Sequence, residues 1–96
     1  MIVIRNVFRC KPGQAKELVK RFKQSIPLMK EHSVNARVLT DVAAPFWSVV
    51  LETQAESLEA FERTFAKYGS DAEVQKVMAG YMDLVDGGHR EIWRVE

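Results

Sequence analysis

The sequence predicts an α+β fold in which helices cover one face of a four-stranded antiparallel sheet. Three observations lead to this prediction. Segments with strand-like and helix-like patterns follow one another in the order β-α-β-β-α-β. The five residues Asp41–Pro45, which separate the two middle strands, suit a hairpin between antiparallel neighbours. Right-handed crossovers around that hairpin then leave one economical arrangement of the four strands.

Length and composition restrict the class of protein. A chain of 96 residues predicts one domain, spanning residues 1–96. Apolar residues at 47% and charged residues at 28% are ordinary for a folded globular domain and argue against disorder. The formal net charge of +1 provides no overall field that would attract nucleic acid or an anionic membrane. Neither is expected as a partner.

The first strand and the first helix have clear patterns. Met1–Arg9 is rich in β-branched and aromatic residues, and both of its alternating faces carry apolar side chains, as in a central strand covered on two sides. Lys11-Pro12-Gly13 then turns the chain. Over Gln14–Glu31 apolar residues recur at helical spacing, which predicts an amphipathic helix. Pro27 is expected to kink or tighten it.

The middle of the chain predicts a hairpin followed by a split helix. The hairpin strands are expected over Asn35–Thr40 and Phe46–Thr53. Ser57 is a suitable N-cap for the first part of the helix, and Gly69 is expected to end that part.

The C-terminal region predicts a further helix and a last strand. Ser70 and Glu73 have the spacing of a capping box, and apolar residues follow at helical spacing as far as Tyr81. Asp86-Gly87-Gly88 is expected to break the helical run as a turn. The last strand is then predicted over His89–Glu96.

The strand patterns also predict a homodimer. Helices can cover only one face of the sheet, yet Val3 and Val7 belong to the other face, and Trp93 with Val95 repeats this conflict in the last strand. Contiguous exposed apolar patches usually mark an interface. Two such sheets packed face to face across a two-fold axis would bury both patches.

The strand that carries Asn6, the Lys11-Pro12-Gly13 corner, the helix sequence AKELVKRF and the split second helix together resemble the dimeric α+β barrel superfamily, which has a ferredoxin-like fold. Within it the chain is most similar to small NIPSNAP-type domains and to the antibiotic-biosynthesis-monooxygenase group. The resemblance covers nearly the whole chain. It implies a homodimer with facing sheets and a ligand pocket between each sheet and its own helices. Members include cofactor-free monooxygenases, haem degraders, isomerases and decarboxylases, so the fold alone assigns no activity.

Asn6 and His89 are the candidate catalytic residues. Asn6 interrupts the apolar face formed by Ile2, Ile4 and Phe8, and a buried amide needs hydrogen-bond partners. Its amide could orient a ligand oxygen or dioxygen, or it could be tied to a neighbouring backbone. Histidine is the residue type whose charge ordinarily changes near neutral pH, so His89 is a candidate general base. The alternative for His89 is an exposed or locally satisfied imidazole.

The resemblance also bears on haem. Haem-degrading members carry an asparagine where this chain has Asn6. They also have a tryptophan just after the third strand and a histidine in the second helical region. This chain has Glu52 or Thr53 at the first of these positions and no histidine in the second region, and Trp47 lies too early to substitute. Haem is therefore not expected as a substrate, and no cofactor is predicted.

Aromatic and arginine side chains are the candidate binding groups. The aromatic residues that could line a ligand pocket are Trp47, Phe61, Phe65, Tyr81 and Trp93. The alternative is that these residues form core or dimer seam. The strand arginines are Arg5, Arg9, Arg37, Arg90 and Arg94. With Glu52 and Glu91 they could form salt bridges across a dimer, or they could bind an anionic substrate.

Metal binding, disulfides and export are not predicted. His32 and His89 have no cysteine or carboxylate at ligand spacing, so no metal site is expected. Cys10 is the one cysteine and has no partner for an internal disulfide; it is interpreted as a bystander at a strand end. Arg5 and Arg9 interrupt the opening apolar run, so no signal peptide is expected. No apolar stretch approaches the roughly 20 residues of a membrane span, and the predicted location is the cytoplasm.

Three functions remain open from the sequence. The first is a homodimer that binds a small apolar or aromatic ligand between sheet and helices without catalysis. The second is a cofactor-independent monooxygenase or isomerase acting on an aromatic or polyketide-like compound, in which Asn6 positions the substrate and His89, Tyr81 or Trp47 assists. The third is a stress-response or regulatory partner protein. A cavity shared by Asn6 and one of those assisting side chains would favour the enzyme.

Overall fold

The computed structural model describes all 96 residues. The strands are β1 (Ile2–Cys10), β2 (Asn35–Thr40), β3 (Ser48–Ala55) and β4 (Val85–Arg94). The helices are α1 (Ala15–Glu31), α2 (Leu58–Gly69) and α3 (Ala72–Met78), and a 3-10 turn over Tyr81–Leu84 leads into β4. The strands lie in the order β2-β3-β1-β4, and all neighbours are antiparallel. The predicted ferredoxin-like fold is confirmed. None of the helices combines the length and the apolar character that crossing a membrane requires.

The register divides the sheet into two faces with different surroundings. Residues opposite one another in neighbouring strands share a face. Asn6 of β1 lies opposite Leu51 of β3 and Arg90 of β4. We call the face that carries these three residues the inner face, because the helices pack on it. The other face, which carries Val7 of β1 and its partners Val50 and His89, is the outer face.

The core lies between the inner face and the helices. Ile4 of β1 and Val49 of β3 are fully buried. α1 contributes Leu18, Phe22 and Met29, each no more than 2% exposed, from the apolar stripe that the sequence predicts. Full burial of such side chains stabilises the fold by about 1.5–3 kcal/mol each.

Two of the predicted helix signals are confirmed and one is wrong. Ser57 caps α2, since its hydroxyl oxygen accepts a hydrogen bond from the Ala60 backbone N–H at 3.1 Å. Gly69 is the last residue of α2, as predicted. The capping box at Ser70 does not form. Asp71 caps α3 instead, because its carboxylate accepts the Glu73 N–H at 2.8 Å.

The predicted start of β3 and the predicted end of α3 also change. β3 begins at Ser48 and not at Phe46, because Trp47 has a left-handed backbone with φ of 58° that does not fit a strand. α3 ends at Met78 and does not reach Tyr81, since Gly80 takes the left-handed conformation and starts the 3-10 turn.

The turn predicted over Asp86-Gly87-Gly88 is wrong. These residues belong to β4, where Gly87 and Gly88 pair with Arg9 and Phe8 of β1. At Gly88 a Cβ atom would lie only 2.2 Å from the carbonyl oxygen of Val7. The glycine therefore permits a close approach of the two strands, and long-range pairing outweighs its local turn preference.

Candidate functional site

A cavity of about 820 Å³ lies between the inner face and the helices. Twelve of its 20 lining residues are hydrophobic, and its volume falls in the range of small-molecule sites. Buried side chains from four elements form the deep part of its wall, namely Phe22, Met29, Leu51, Tyr68 and Val74. At its rim Met82 is 62% exposed, so the cavity opens to solvent there.

Aromatic contacts and the two glycines of β4 shape this cavity. Phe8 of β1 packs against Phe22 of α1 with ring centroids 5.4 Å apart, and against Tyr81 edge-on at 6.3 Å. Gly87 and Gly88 of β4 pair with Arg9 and Phe8, border the cavity beside Phe8 and contribute no side chain. The sheet is therefore close to the 3-10 turn at Phe8 and leaves space above β4.

The polar end of the cavity is formed by Asn6 and Arg90. The Arg90 Nε–H donates a hydrogen bond of 2.7 Å to Asn6 Oδ1. The guanidinium carbon of Arg90 lies 5.5 Å from the ring centroid of Phe61, a cation–π distance. The partner of Asn6 is thus a charged side chain, whereas the sequence predicted a backbone partner or a ligand.

His89 does not share this polar end. It neighbours Arg90 in β4 and therefore lies on the outer face, opposite Val7. Its Nε2 is 2.9 Å from Glu91 Oε2, and its side chain is 59% exposed. His89 borders the cavity as part of β4. The structure does not bring its imidazole together with Asn6.

The five predicted aromatic binding residues are distributed over four places. Phe65 and Tyr81 line the cavity. Phe61 is buried beside Arg90 and does not form part of the wall. Trp47 lies just before β3 and is 44% exposed, and Trp93 lies on the outer face and is 55% exposed. Neither tryptophan reaches the cavity.

The outer face carries a row of alternating charges across all four strands. Arg37, Glu52, Arg5 and Glu91 lie side by side in register. The Glu52 carboxylate is 3% exposed and accepts hydrogen bonds from the Nε–H groups of Arg5, at 2.8 Å, and Arg37. Burial alone would raise the pKa of Glu52, but the hydrogen bonds and charges of the two arginines outweigh it and lower that pKa. These pairs form within one chain.

The remaining titratable candidates lie away from the cavity or are buried. His32 at the end of α1 bonds through Nε2 to Asp71 Oδ2 at 2.8 Å, and this hydrogen bond is the main cause of the lowered pKa of Asp71. Cys10 is buried at the end of β1, and burial raises the pKa of its thiol. No three His, Cys, Asp or Glu side chains are grouped so that they could hold a metal ion.

Sequence reasoning overlooked the specific place of Arg90. It grouped Arg90 with the other strand arginines, although the register puts Arg90 on the inner face and Arg5 and Arg37 on the outer face. Because Arg90 and His89 are adjacent in the last strand, the sequence already places their side chains on opposite faces of the sheet. Which of the two faces the helices, however, depends on the pairing of β4 with β1.

Comparison with known proteins identifies the fold and no closer relationship. No family model matches the chain, and no curated protein is similar enough in sequence to count as a relative. Among solved structures, a NIPSNAP family protein of Agrobacterium tumefaciens superposes with a TM-score of 0.87 at 18% identity, over 99% of this chain and 92% of that one. A NIPSNAP domain protein of Burkholderia xenovorans gives 0.86 at 13%, over 100% and 95%. An antibiotic-biosynthesis-monooxygenase-like protein of Chloroflexus aurantiacus gives 0.72 at 16%, over 99% and 93%. Similarity at these identities establishes a shared fold.

Proposed function

We propose that the protein is a homodimer that binds a small apolar or aromatic ligand between the sheet and the helices of each subunit. The observation that supports ligand binding is the cavity of about 820 Å³, whose wall is mostly hydrophobic. A core packed to ordinary density has few voids larger than a water molecule. An apolar cavity of this size that opens to solvent is therefore a natural place for a ligand.

The outer face supports the homodimer. Val3, Val7, Leu39 and Val50 are only half-buried there, and Trp93 is exposed. The charge row that crosses the same face contains two arginines and two glutamates, so it adds no net charge. A second sheet could therefore cover this row without leaving an uncompensated charge within it.

Ligand binding can be mapped by NMR on the labelled protein with a panel of small aromatic compounds. A binder should shift the backbone amides of Gly69 and Gly88 and the side-chain amide of Asn6, which line the cavity. The indole N–H signals of Trp47 and Trp93, outside the cavity, serve as internal controls and should stay in place. A panel without any binder, or shifts centred on the indoles, would contradict the proposal.

The dimer is tested by sedimentation of the wild type and of two variants. The monomer mass is 11.0 kDa, so a dimer has twice that mass. Trp93→Glu places a charge on the outer face and should weaken the dimer. Ile92→Glu is the matched control, because Ile92 is the adjacent residue, is 47% exposed and lies on the inner face. A wild type that sediments as a monomer at tens of micromolar would refute the dimer.

A second candidate function is supported by the position of Asn6 and Tyr81 in one cavity. We propose as the alternative a cofactor-independent monooxygenase or isomerase acting on an aromatic or polyketide-like compound. In the first reaction a substrate CH₂ group becomes C=O, one oxygen atom of O₂ enters the product and the other leaves as water. In the second the mass of the compound does not change.

Oxygen uptake and product mass distinguish these functions once a binder is known. The monooxygenase consumes O₂ and adds one oxygen atom while removing two hydrogen atoms. The isomerase consumes no O₂ and yields a product of equal mass. Asn6→Ala should abolish either reaction while His89→Ala should not, because Asn6 lies on the inner face whereas His89 belongs to the outer face and bonds Glu91. Recovery of an unchanged ligand in every case would leave binding as the function.

A further inference from the structure

We propose that the ligand of this cavity carries a carboxylate, which Arg90 and Asn6 bind at the polar end while the apolar body of the ligand fills the remainder. The inference rests on the proposed function, since it names the chemical class of ligand for the same cavity. Among apolar or aromatic ligands, the inference selects those that carry a carboxylic acid group.

Most of the hydrogen-bond donors of the Arg90 side chain have no partner within the chain. A guanidinium has five N–H donors in a planar fork. Only the Nε–H of Arg90 is engaged, in the hydrogen bond to Asn6 Oδ1, and none of the ion pairs of the chain includes Arg90. The four N–H donors on its two Nη atoms remain available. A planar fork of this kind matches the two oxygens of a carboxylate.

Two contacts hold the guanidinium of Arg90 in place. Asn6 Oδ1 fixes the Nε edge, and the ring of Phe61 lies 5.5 Å from the guanidinium carbon. Both contacts restrict the orientation of the fork before any ligand arrives, which reduces the entropy cost of binding. With Oδ1 accepting from Arg90, the Nδ2 group of Asn6 makes no hydrogen bond and is not among the buried unpaired atoms, so it remains an accessible donor.

The other charged residues around the cavity do not pair with Arg90. Asp86 is the acidic residue of the wall, and it lies four residues from Arg90 along β4, about 13 Å at ordinary strand spacing. His89 bonds Glu91 on the outer face. Arg90 is the only lysine or arginine that lines the cavity, and it lacks an acidic partner. Apolar residues such as Leu51, Phe65 and Met78 line much of the remaining wall.

Three ligands of nearly equal shape test the inference on the wild-type protein. They are 2-naphthoate, 2-naphthamide and 2-naphthamidine, which share one ring system and carry planar anionic, neutral and cationic head groups. Calorimetry at neutral pH and low salt should show 2-naphthoate binding about tenfold more tightly than 2-naphthamide, as a charge-assisted hydrogen bond provides. The amidine should bind most weakly. Added salt should reduce the preference, because Arg90 is solvent-exposed.

Two variants assign the preference to Arg90. Arg90→Gln should remove the advantage of 2-naphthoate over 2-naphthamide and leave the affinity for 2-naphthamide within about twofold. Arg94→Gln is the control and should keep the advantage, because Arg94 shares the inner side of β4 but lies opposite Ile2, outside the cavity. Melting curves of both variants show whether each is folded.

The outcomes separate this inference from the proposed function. Absence of binding by all three compounds, together with an empty wider panel, overturns ligand binding itself. Equal binding of the acid and the amide, or tighter binding of the amidine, overturns the carboxylate inference and leaves the cavity as a ligand site. Because these comparisons use the wild type, they decide the question even if Arg90→Gln does not fold.

Discussion

Replacing Gly88 with alanine tests the pairing of β4 with β1, on which the cavity depends. A Cβ atom at this position would lie 2.2 Å from the carbonyl oxygen of Val7 and 3.3 Å from the Cα of Phe8. Carbon–oxygen contacts between strands normally measure about 3.3–3.6 Å. The two strands would therefore have to separate by about 1 Å, and because the atoms that clash are backbone, no side-chain rotation relieves the contact.

The magnitude follows from the hydrogen bonds that such a shift weakens. Each backbone hydrogen bond contributes about 1 kcal/mol net, so weakening the pairing of Gly88 and its neighbours with β1 should cost about 2–3 kcal/mol. For a domain of this size the melting temperature should fall by roughly 10–20 °C. Urea unfolding at one fixed protein concentration, followed by tryptophan fluorescence, measures the loss.

Gly87→Ala is the matched control in the same strand. A Cβ at Gly87 would meet Arg9 Nη2 at 3.1 Å, and that atom is the end of a flexible, exposed side chain. The change should alter the free energy of unfolding by no more than about 0.5 kcal/mol. If the two variants prove equally stable, β4 does not approach Val7 as closely as described. The position of the cavity wall at β4 would then also be wrong.

Three further predictions concern stability and reactivity. Glu52→Gln should lower the free energy of unfolding by about 1–3 kcal/mol at neutral pH, because Arg5 and Arg37 lose their shared carboxylate; both arginines are partly exposed, so the loss stays below that of a fully buried pair. The pKa of Glu52 is lowered in the folded protein. The difference in free energy of unfolding between the wild type and Glu52→Gln should therefore be present in full above the ordinary pKa of about 4.3, and it should disappear as the pH falls through the lower pKa of the folded state. Ser57→Ala should cost about 1 kcal/mol through loss of the α2 cap, measured by urea unfolding. Cys10 should react with a thiol reagent much more slowly in the folded protein than in urea, because it is buried and its thiol pKa is raised.

Each of these predictions has a result that contradicts it. A Glu52→Gln deficit that stays constant down to about pH 3 would show that the ion pairs do not carry the effect. Ser57→Thr retains a hydroxyl, so a Ser57→Thr variant as unstable as Ser57→Ala would show that the hydroxyl cap does not carry the effect. A folded protein whose Cys10 reacts as fast as the unfolded chain would place that thiol at the surface.

Local patterns were sufficient for the elements whose signals are strong and short in range. The helical spacing from Gln14 to Glu31 predicted α1 to within a residue, and the strand Asn35–Thr40 was predicted with its observed ends. The cap at Ser57 was predicted as well. In these segments the hydrophobic period, the capping group and the turn residues all favour the same structure, so the tertiary context did not need to override them.

Local patterns failed where pairing with a distant strand decided the structure. Gly87 and Gly88 have the local preference of a turn, yet they form the start of β4 because β1 lies beside them. At these glycines the energy of strand pairing exceeds the local turn preference. Ser70 was a plausible cap, but Asp71 caps α3, and its carboxylate also bonds His32, the residue after α1.

The candidate site shows the same division. Alternation along β1 was enough to place Asn6 on one face with Ile2, Ile4 and Phe8, and its exception to that apolar pattern identified it as the residue to explain. The sequence alone also determined the order of elements, the amphipathic α1 and the apolar character of both sheet faces. Only the tertiary structure decided that Arg90 bonds Asn6 while His89 lies on the opposite face. The physical reason is that a one-residue change in the register of β4 exchanges its two faces, and that register is set by contacts with β1 some 80 residues away in the chain.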